Sequence, residues 1–547
     1  MASAANAPKD EGMTGFLGWI ERNGNKLPDP VFLFFYLIIA LVVISMITSA
    51  LGVSALHPTS IDESTGEALK IEAISLFAPD NIQRLWVEMP KTFTHFHPLG
   101  YVLVVMLGAG VAERSGFFAA GMAKAVKSAP KALLTPVVAL VAMLGNHAAD
   151  AGYVVLIPLA GILFAAAGRH PLAGIAAAFA GVSGGFSANI SPGQLDALLF
   201  GITEEAVGAS ALDPAWTANI AGNWYFISAM TVLFLPIIWY VTDKIIEPKL
   251  GAWTGGATAG ANDDGTSPDP TAHDGDLASK GLRHAGLAAL AVVALWAVMV
   301  FAPGTPLINE AACLNDAGGR IDDCSIHSEL RPFYQSLVAA FFVLFLATGW
   351  AYGRATGTIN NHRDLVNMMT ESMKDMGYYL VLAFAAAHFV AMFGWSNLGL
   401  ITAVHGAAGI ESTGLPLPIV LGLMVLFAAL LNLFVGSASA KWALLAPILV
   451  PMLMLLGISP EGATAAYRVG DSATNIITPL MVYFPLILVF AQRWKKDFGL
   501  GSLTAMMVPY SILLLISGTL LIVLWFYLGL PLGPDAPVAY VLPGAGG

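Results

Sequence analysis

Runs of about twenty apolar residues recur along nearly the whole chain, and a run of that length matches the thickness of a lipid bilayer. Clear examples are 30–52, 219–242, 284–302, 332–350, 377–395 and 503–530, while 99–112 is apolar but short. Only 11% of the 547 residues are charged against 57% hydrophobic, and mean hydropathy is +0.73. A soluble globular protein carries about 25% charged residues, so a soluble enzyme is excluded. The net charge of -11 leaves no basic surface for nucleic acid. Neither a Walker A segment nor a G-x-S-x-G or H-E-x-x-H signature occurs, so the chain carries no cofactor or hydrolytic motif of its own.

Two regions, 133–167 and 415–456, are longer than one helix and interrupted. Each leads into an apolar segment rich in Gly, Pro, Ser and Asn, at 170–204 and 458–492. Irregular backbone survives at membrane depth only against protein or a wet cavity, so both segments are expected to be re-entrant hairpins. With each interrupted region counted once, the fold class is all-α polytopic membrane protein. It has nine transmembrane helices, some broken, plus two re-entrant helical hairpins. Lys124, Lys127 and Lys131, Arg354, Arg363 and Lys374, and Arg493, Lys495 and Lys496 fall on one side of this arrangement. The positive-inside rule then puts the N-terminus in the cytoplasm and the C-terminus outside. The first half, 1–242, holds spans 1–4 and hairpin one; the second, 284–547, holds spans 5–9 and hairpin two. Between them, 243–283 reads as a flexible cytoplasmic linker. The loop at 303–332, expected outside, carries Cys313 and Cys324, either bridged or as free thiols.

The halves repeat. Tyr153, Pro158 and Pro171 each lie 289 residues before Trp442, Pro447 and Pro460, as Gly181 and Ser183 do before Gly470 and Ser472. After a small gap, Ser187 to Pro192 (SANISP) aligns with 473–479 (ATNIITP). The expected topology enters the first hairpin from outside and the second from inside, so the repeats are inverted. Inverted repeats with broken helices point to a secondary transporter whose site lies near the bilayer midplane. A broken helix offers unpaired N–H groups at one end and unpaired carbonyls at the other, which suit anions and cations respectively. Pro192 and Pro479 cannot donate and free carbonyls upstream. Ser187, Asn189 and Asn475 add oxygens beside them, a donor set that suits Na⁺ at Asn189 and Asn475. The alternative is that each Asn is only a helix-breaking cap in a packed hairpin.

Charge breaks the symmetry. At the 289-residue shift Arg468 faces Phe179, Asp471 faces Val182 and Asp150 faces Ser439. An ionisable side chain within a membrane helix costs at least ~2.5–3.5 kcal/mol, so these residues invite a functional reading. Arg468 and Asp471, three apart, share a helix face and can pair; alternatively Arg468 grips a substrate carboxylate bidentately. Asp196, four residues past Pro192, has no cation near it in sequence, which favours a proton- or cation-carrying role. Trp442 offers a stacking surface for an aromatic substrate, with Tyr153 as its mirror. His147 and Asp150 could serve a proton path or satisfy broken backbone, His388 reads as a core histidine, and Lys441 as a side chain snorkelling to an interface.

These residues carry a resemblance. The stretches ERNGNKLPDPVFLF (21–34), GGFSANISPGQLD (184–196) and 437–486, from SASAKWALLAPILVPML through YRVGDSATNIITPLMVYFPL, resemble the p-aminobenzoyl-glutamate transporter (AbgT) family, within the ion transporter superfamily. The resemblance implies a bacterial inner-membrane homodimer of nine spans and two hairpins, without a cofactor, coupled to Na⁺ or H⁺. It would import p-aminobenzoyl-glutamate or export sulfonamide antimetabolites. By the same resemblance the functional residues fall on Asp196, Ser439, Trp442, Pro460, Arg468, Asp471 and Pro479. A Na⁺-coupled dicarboxylate or other small-anion carrier is the rival reading, and Trp442 argues against it because a small aliphatic diacid needs no stacking surface. The long acidic stretch at 255–277 and the Cys-bearing loop have no counterpart in the resemblance.

Overall fold

A computed structural model describes residues 28–61, 66–148, 152–254, 275–302, 304, 306–314, 329–478 and 480–543. Eight helices among them are long and apolar enough to cross a membrane, or ten if each of two bent pairs is one span. The bent pairs are Phe117–Lys127 with Lys131–His147, at 117°, and Leu398–Ser412 with Leu417–Asn432, at 119°. Both lead into the broken region of their own half, so each repeat opens with the same elbow. The first span, Pro30–Ala50, starts as its sequence dictates: Pro30 supplies a preset φ, and Asp29 accepts the Val31 N–H at 2.8 Å. The short apolar run at 99–112 is the end of a longer unit, Pro79–Arg114. An antiparallel hairpin of Ser54–Ile61 and Ala68–Glu72 is a small departure from an all-helical chain.

The expected interruptions are present. After Leu134–Leu144 the chain passes through a 3-10 turn, then a π turn at Gly152–Leu156, before Ile157–Ala166. In the second half Leu417–Asn432 ends, 433–437 is unwound, and Ala438–Leu455 follows. Hairpin one rises through Pro171–Phe179 and a π turn, unwinds over 185–193 and returns as Gln194–Ser210, six residues beyond the expected end. Hairpin two rises through Pro460–Asn475, unwinds near 476–483 and returns as Phe484–Gln492. Helices reach further into the expected 243–283 linker than its composition indicates. One continues to Leu250 and the next begins at Gly275.

The 289-residue repeat exists in space as well as in sequence. Pro171 and Pro460 both sit in the first turn of their hairpin helices, behind capping side chains. His170 accepts the Leu172 N–H and Ser459 accepts the Gly462 N–H at 3.1 Å. Gly181 lies against Ala139 and Ala142, and its equivalent Gly470 lies against Ala428 and Ala429. A Cβ at Gly181 would come within 2.8 Å of the Ala139 carbonyl oxygen, and one at Gly470 within 2.3 Å of the Val425 carbonyl oxygen. Only glycine allows helices to approach so closely.

The C-terminal segment lies across the base of hairpin two, while Arg169 at the base of hairpin one pairs with Asp243 and Glu247 at the start of the 243–283 linker. Hairpin two is therefore entered from the side of the C-terminus and hairpin one from the side of the linker, the reverse of the expected entry sides, although the two remain inverted. Ser459 donates its N–H to the Val538 carbonyl at 3.1 Å and Tyr540 donates to the Gly457 carbonyl at 2.8 Å. The Asn219 amide reaches the Pro534 carbonyl at 2.6 Å. The Tyr540 hydroxyl gives a 2.6 Å hydrogen bond to Asp213; burial first, and then this carboxylate, push its pKa up. Cys313 is disulfide-bonded, and the only other cysteine, Cys324, lies outside the described residues.

Candidate functional site

The two hairpin tips meet. Ser187 in the first donates its backbone N–H to Ser472 Oγ in the second at 3.0 Å, and Ser183 Oγ lies 3.4 Å from Met481 Sδ. Each tip also abuts the interruption of its own repeat. In the first, the Asn146 amide reaches the Gly185 carbonyl at 3.4 Å, Ser191 Oγ lies 3.1 Å from His147 Nε2, and Asn189 donates to the Met143 carbonyl at 3.4 Å. A Cβ at Gly193 would lie 2.2 Å from His147 Nδ1, so the ring fits only against glycine. In the second, Asn432 donates to Asn475 Oδ1 at 2.9 Å, and Gly436 packs on the Leu480 carbonyl. The carbonyl of Ile190, two residues before Pro192, is taken by the Trp224 indole N–H at 2.8 Å.

Charge in this core is arranged differently from the sequence spacing. Arg468, 1% exposed, donates to Asp196 Oδ1 at 2.7 Å, so the ion pair joins the two hairpins rather than linking Arg468 to Asp471. Asp196 therefore does have a cation, 272 positions away in the chain. Its other oxygen accepts the Gly193 N–H at 2.8 Å and caps the returning helix. Asp471 pairs with Lys441, whose ammonium also reaches Asn432 Oδ1. Lys441 is thus fully buried and does not snorkel. Helical spacing gives the face a residue occupies but not which neighbouring helix fills that face, and here the neighbours won.

Trp442 is likewise packed. It is 0% exposed, stacks on Tyr467 at 4.6 Å between centroids, and gives its N–H to Thr203 at 2.9 Å, which in turn meets Thr464 at 3.0 Å. Ser439 lies 3.2 Å from Ser437 Oγ at the second interruption. Pro460 opens its helix 15 residues before Asn475, about 22 Å from the tip at the helical rise, and acts there as a helix start rather than a ligand. Pro479 and Asp150 lie outside the described residues. His388 is buried, with Nδ1 donating to the Phe384 carbonyl at 2.7 Å, as a core histidine does.

A cavity of about 370 Å³ opens where the tips meet. Its walls include Tyr153, Phe186 and Gln194 from the first half and Asn475, Met481 and Tyr483 from the second. Tyr153 and Tyr483 stack in parallel with centroids 4.3 Å apart, forming an aromatic floor across the repeats. Arg114, paired with Asp375, brings a guanidinium to the cavity, Glu113 a further carboxylate, and Asn146 an amide. Of the expected substrate residues, Asn475 reaches this wall, whereas Arg468, Trp442 and Asp471 do not line it. Arg114 and Tyr483 were not singled out from sequence. Arg114 follows an apolar run like any interfacial charge, and Tyr483 has no aromatic partner at the 289-residue shift. Buried atoms without a hydrogen-bond partner cluster nearby, namely Ser187 Oγ, Gln194 Oε1 and Arg468 Nε.

Na⁺ does not fit the two asparagines. Asn189 Oδ1 accepts the Ile190 N–H at 2.9 Å, and Asn475 Oδ1 accepts from Asn432, so the two belong to separate networks. A lysine ammonium already stands beside the second.

The model of the AbgT putative transporter family matches residues 15–540. The p-aminobenzoyl-glutamate transport protein of Escherichia coli K12 is 37% identical over 535 residues, covering 97% of this chain and 98% of its own. The crystal structure of the Alcanivorax borkumensis YdaH transporter, reported to have an unusual topology, superposes with a TM-score of 0.81 at 41% identity, over 93% of this chain and all of that one. MtrF of Neisseria gonorrhoeae, described as illuminating a class of antimetabolite efflux pumps, superposes with a TM-score of 0.84 at 41% identity, over 96% of this chain and all of that one.

Proposed function

We propose that this chain, which belongs to the AbgT putative transporter family, is an ion-coupled carrier of aromatic amides bearing carboxylates, p-aminobenzoyl-glutamate foremost, or of sulfonamide antimetabolites. It is a multi-pass membrane transporter and not an enzyme. The bacterial inner membrane and a homodimeric state are part of the proposal. The observation that carries the substrate reading is the cavity between the hairpin tips. Its volume lies in the range of small-molecule sites, and its walls combine an aromatic pair with amides and the Arg114 guanidinium, alongside the Asp375 and Glu113 carboxylates. A small dicarboxylate would leave that floor unused.

Coupling is assigned to the Asp196–Arg468 pair. When the hairpins part, a substrate carboxylate competes for the Arg468 fork, whose Nε has no partner in the closed pair. An Asp196 released from its cation then takes up a proton, since a carboxylate left without a partner in the membrane interior is costly. The poor fit of Na⁺ at the asparagines favours H⁺ as the driving ion.

Proteoliposome uptake of labelled p-aminobenzoyl-glutamate, with Na⁺ and pH gradients imposed separately, tests this. Flux is expected under the pH gradient; none under either gradient would remove the reading. Tyr483→Ala is expected to lower uptake of the aromatic substrate about tenfold, the scale of one lost aromatic stack, and to spare an aliphatic diacid. Equal losses for both would argue against a stacking floor.

A further inference from the structure

The C-terminal ends of two helices, Leu417–Asn432 and Pro460–Asn475, converge beside the second interruption. Both present the negative pole of a helix dipole, which attracts a cation. Side-chain oxygens gather there as well. Asn432 donates to the Asp471 carbonyl at 2.7 Å, to Thr474 Oγ1 at 2.9 Å and to Asn475 Oδ1 at 2.9 Å, which leaves its own Oδ1 and the Asp471 carboxylate facing inward. An oxygen cluster at two negative helix ends, with one carboxylate, has the makings of a hard-cation site. What stands in it is the Lys441 ammonium, 2% exposed and bonded to Asn432 Oδ1 and Asp471 Oδ1.

The other repeat shows what this place looks like without charge. At the 289-residue shift Lys441 becomes Gly152, Asp471 becomes Val182 and Asn432 becomes Met143. Gly152 and Val182 touch there too, a Cβ on the glycine lying 3.3 Å from the valine Cγ1. The same contact is thus apolar in one half and an ammonium–carboxylate pair in the other. A buried pair is weak as a source of stability, because apolar packing of similar volume serves as well. The first repeat demonstrates that such packing is available to this fold.

We propose that Lys441 is a tethered cation that fills the second repeat's cation site, so that hairpin two binds no Na⁺. This deepens the carrier reading above and rests on it only for the meaning of the site, not for its test. Removing the ammonium would leave Asp471, Asn432, Thr474 and Asn475 as an oxygen set with one uncompensated carboxylate, which Na⁺ can enter.

The test is thermal melting of the purified full-length chain in detergent, in NaCl against choline chloride of equal ionic strength. A ligand that binds only the folded state raises the melting temperature. Lys441→Ala is expected to melt several degrees higher in NaCl than in choline chloride. Lys441→Ala with Asp471→Asn is expected to lose that difference, and the wild type to lack any difference that Asp471→Asn removes. A folded Lys441→Ala with no Na⁺ response overturns the proposal, as does a wild-type Na⁺ response abolished by Asp471→Asn. Should Lys441→Ala fail to fold, Lys441→Gln keeps the volume and gives the same readout. Because binding is read without flux, failure of the transport assay alongside an intact Na⁺ response counts against the carrier reading alone.

Discussion

Arg468→Ala is expected to abolish gradient-driven uptake in proteoliposomes, but the reason needs separating from simple damage. The substitution leaves the Asp196 carboxylate buried between the hairpins without its cation. Breaking one side of such a pair destabilises by about 3–5 kcal/mol. Lost flux in that variant therefore has two causes. The double change Asp196→Asn with Arg468→Gln removes both charges and keeps a hydrogen-bonding pair of similar size. Its melting temperature is expected to stay within a few degrees of the wild type, while flux under a pH gradient falls at least tenfold, the scale of a lost proton-transfer group. Wild-type flux in the double variant would make the pair a structural tie and nothing more.

Gly470→Ala is expected to produce a large loss of stability for a single methyl addition. The new Cβ would lie 2.3 Å from the Val425 carbonyl oxygen and 2.8 Å from the Ala429 nitrogen, both backbone atoms of a neighbouring helix. Such contacts are relieved only by moving the helix, and overpacking of this kind costs about 1–3 kcal/mol or more. The equivalent Gly181→Ala meets the Ala142 Cβ at 2.5 Å and the Ala139 carbonyl oxygen at 2.8 Å, and a comparable loss is expected. Gly208→Ala, inside the returning helix of hairpin one with nothing within 4 Å, is the control. It is expected to be neutral or to stabilise by up to about 1 kcal/mol, since alanine is the better helix former. Detergent melting curves of the three variants check this. A Gly470→Ala protein melting with the wild type would mean that the two helices do not approach so closely.

The residues in these two predictions show what the sequence could and could not reveal. Pro171, Pro460, Gly181 and Gly470 are dictated by local backbone needs, a helix start or a close helix approach. Such needs recur wherever the fold recurs, and so the 289-residue repeat and the hairpins were legible. Partner choice was not. Arg468 and Asp471 share a helix face by spacing, yet their partners, Asp196 and Lys441, come from other helices. Trp442 was expected to meet substrate because a tryptophan beside a broken helix offers a large flat surface. Tyr467, from a helix packed alongside, covers it first. The aromatic floor is built instead from Tyr153 and Tyr483, whose meeting depends on how the halves dock. The helix Leu398–Ser412 was also unforeseen, since it follows Gly377–Trp395 after only two residues and its composition does not set it apart.

The C-terminal strap has a mechanical consequence. Its hydrogen bonds fasten the base of hairpin two, at Gly457 and Ser459, while Asn219 and Asp213 anchor the strap to the loop after hairpin one. A rod pinned at its base cannot travel like a piston along its own length. It can only swing, and the swing is widest at the far tip, where Asn475 and Tyr483 border the cavity.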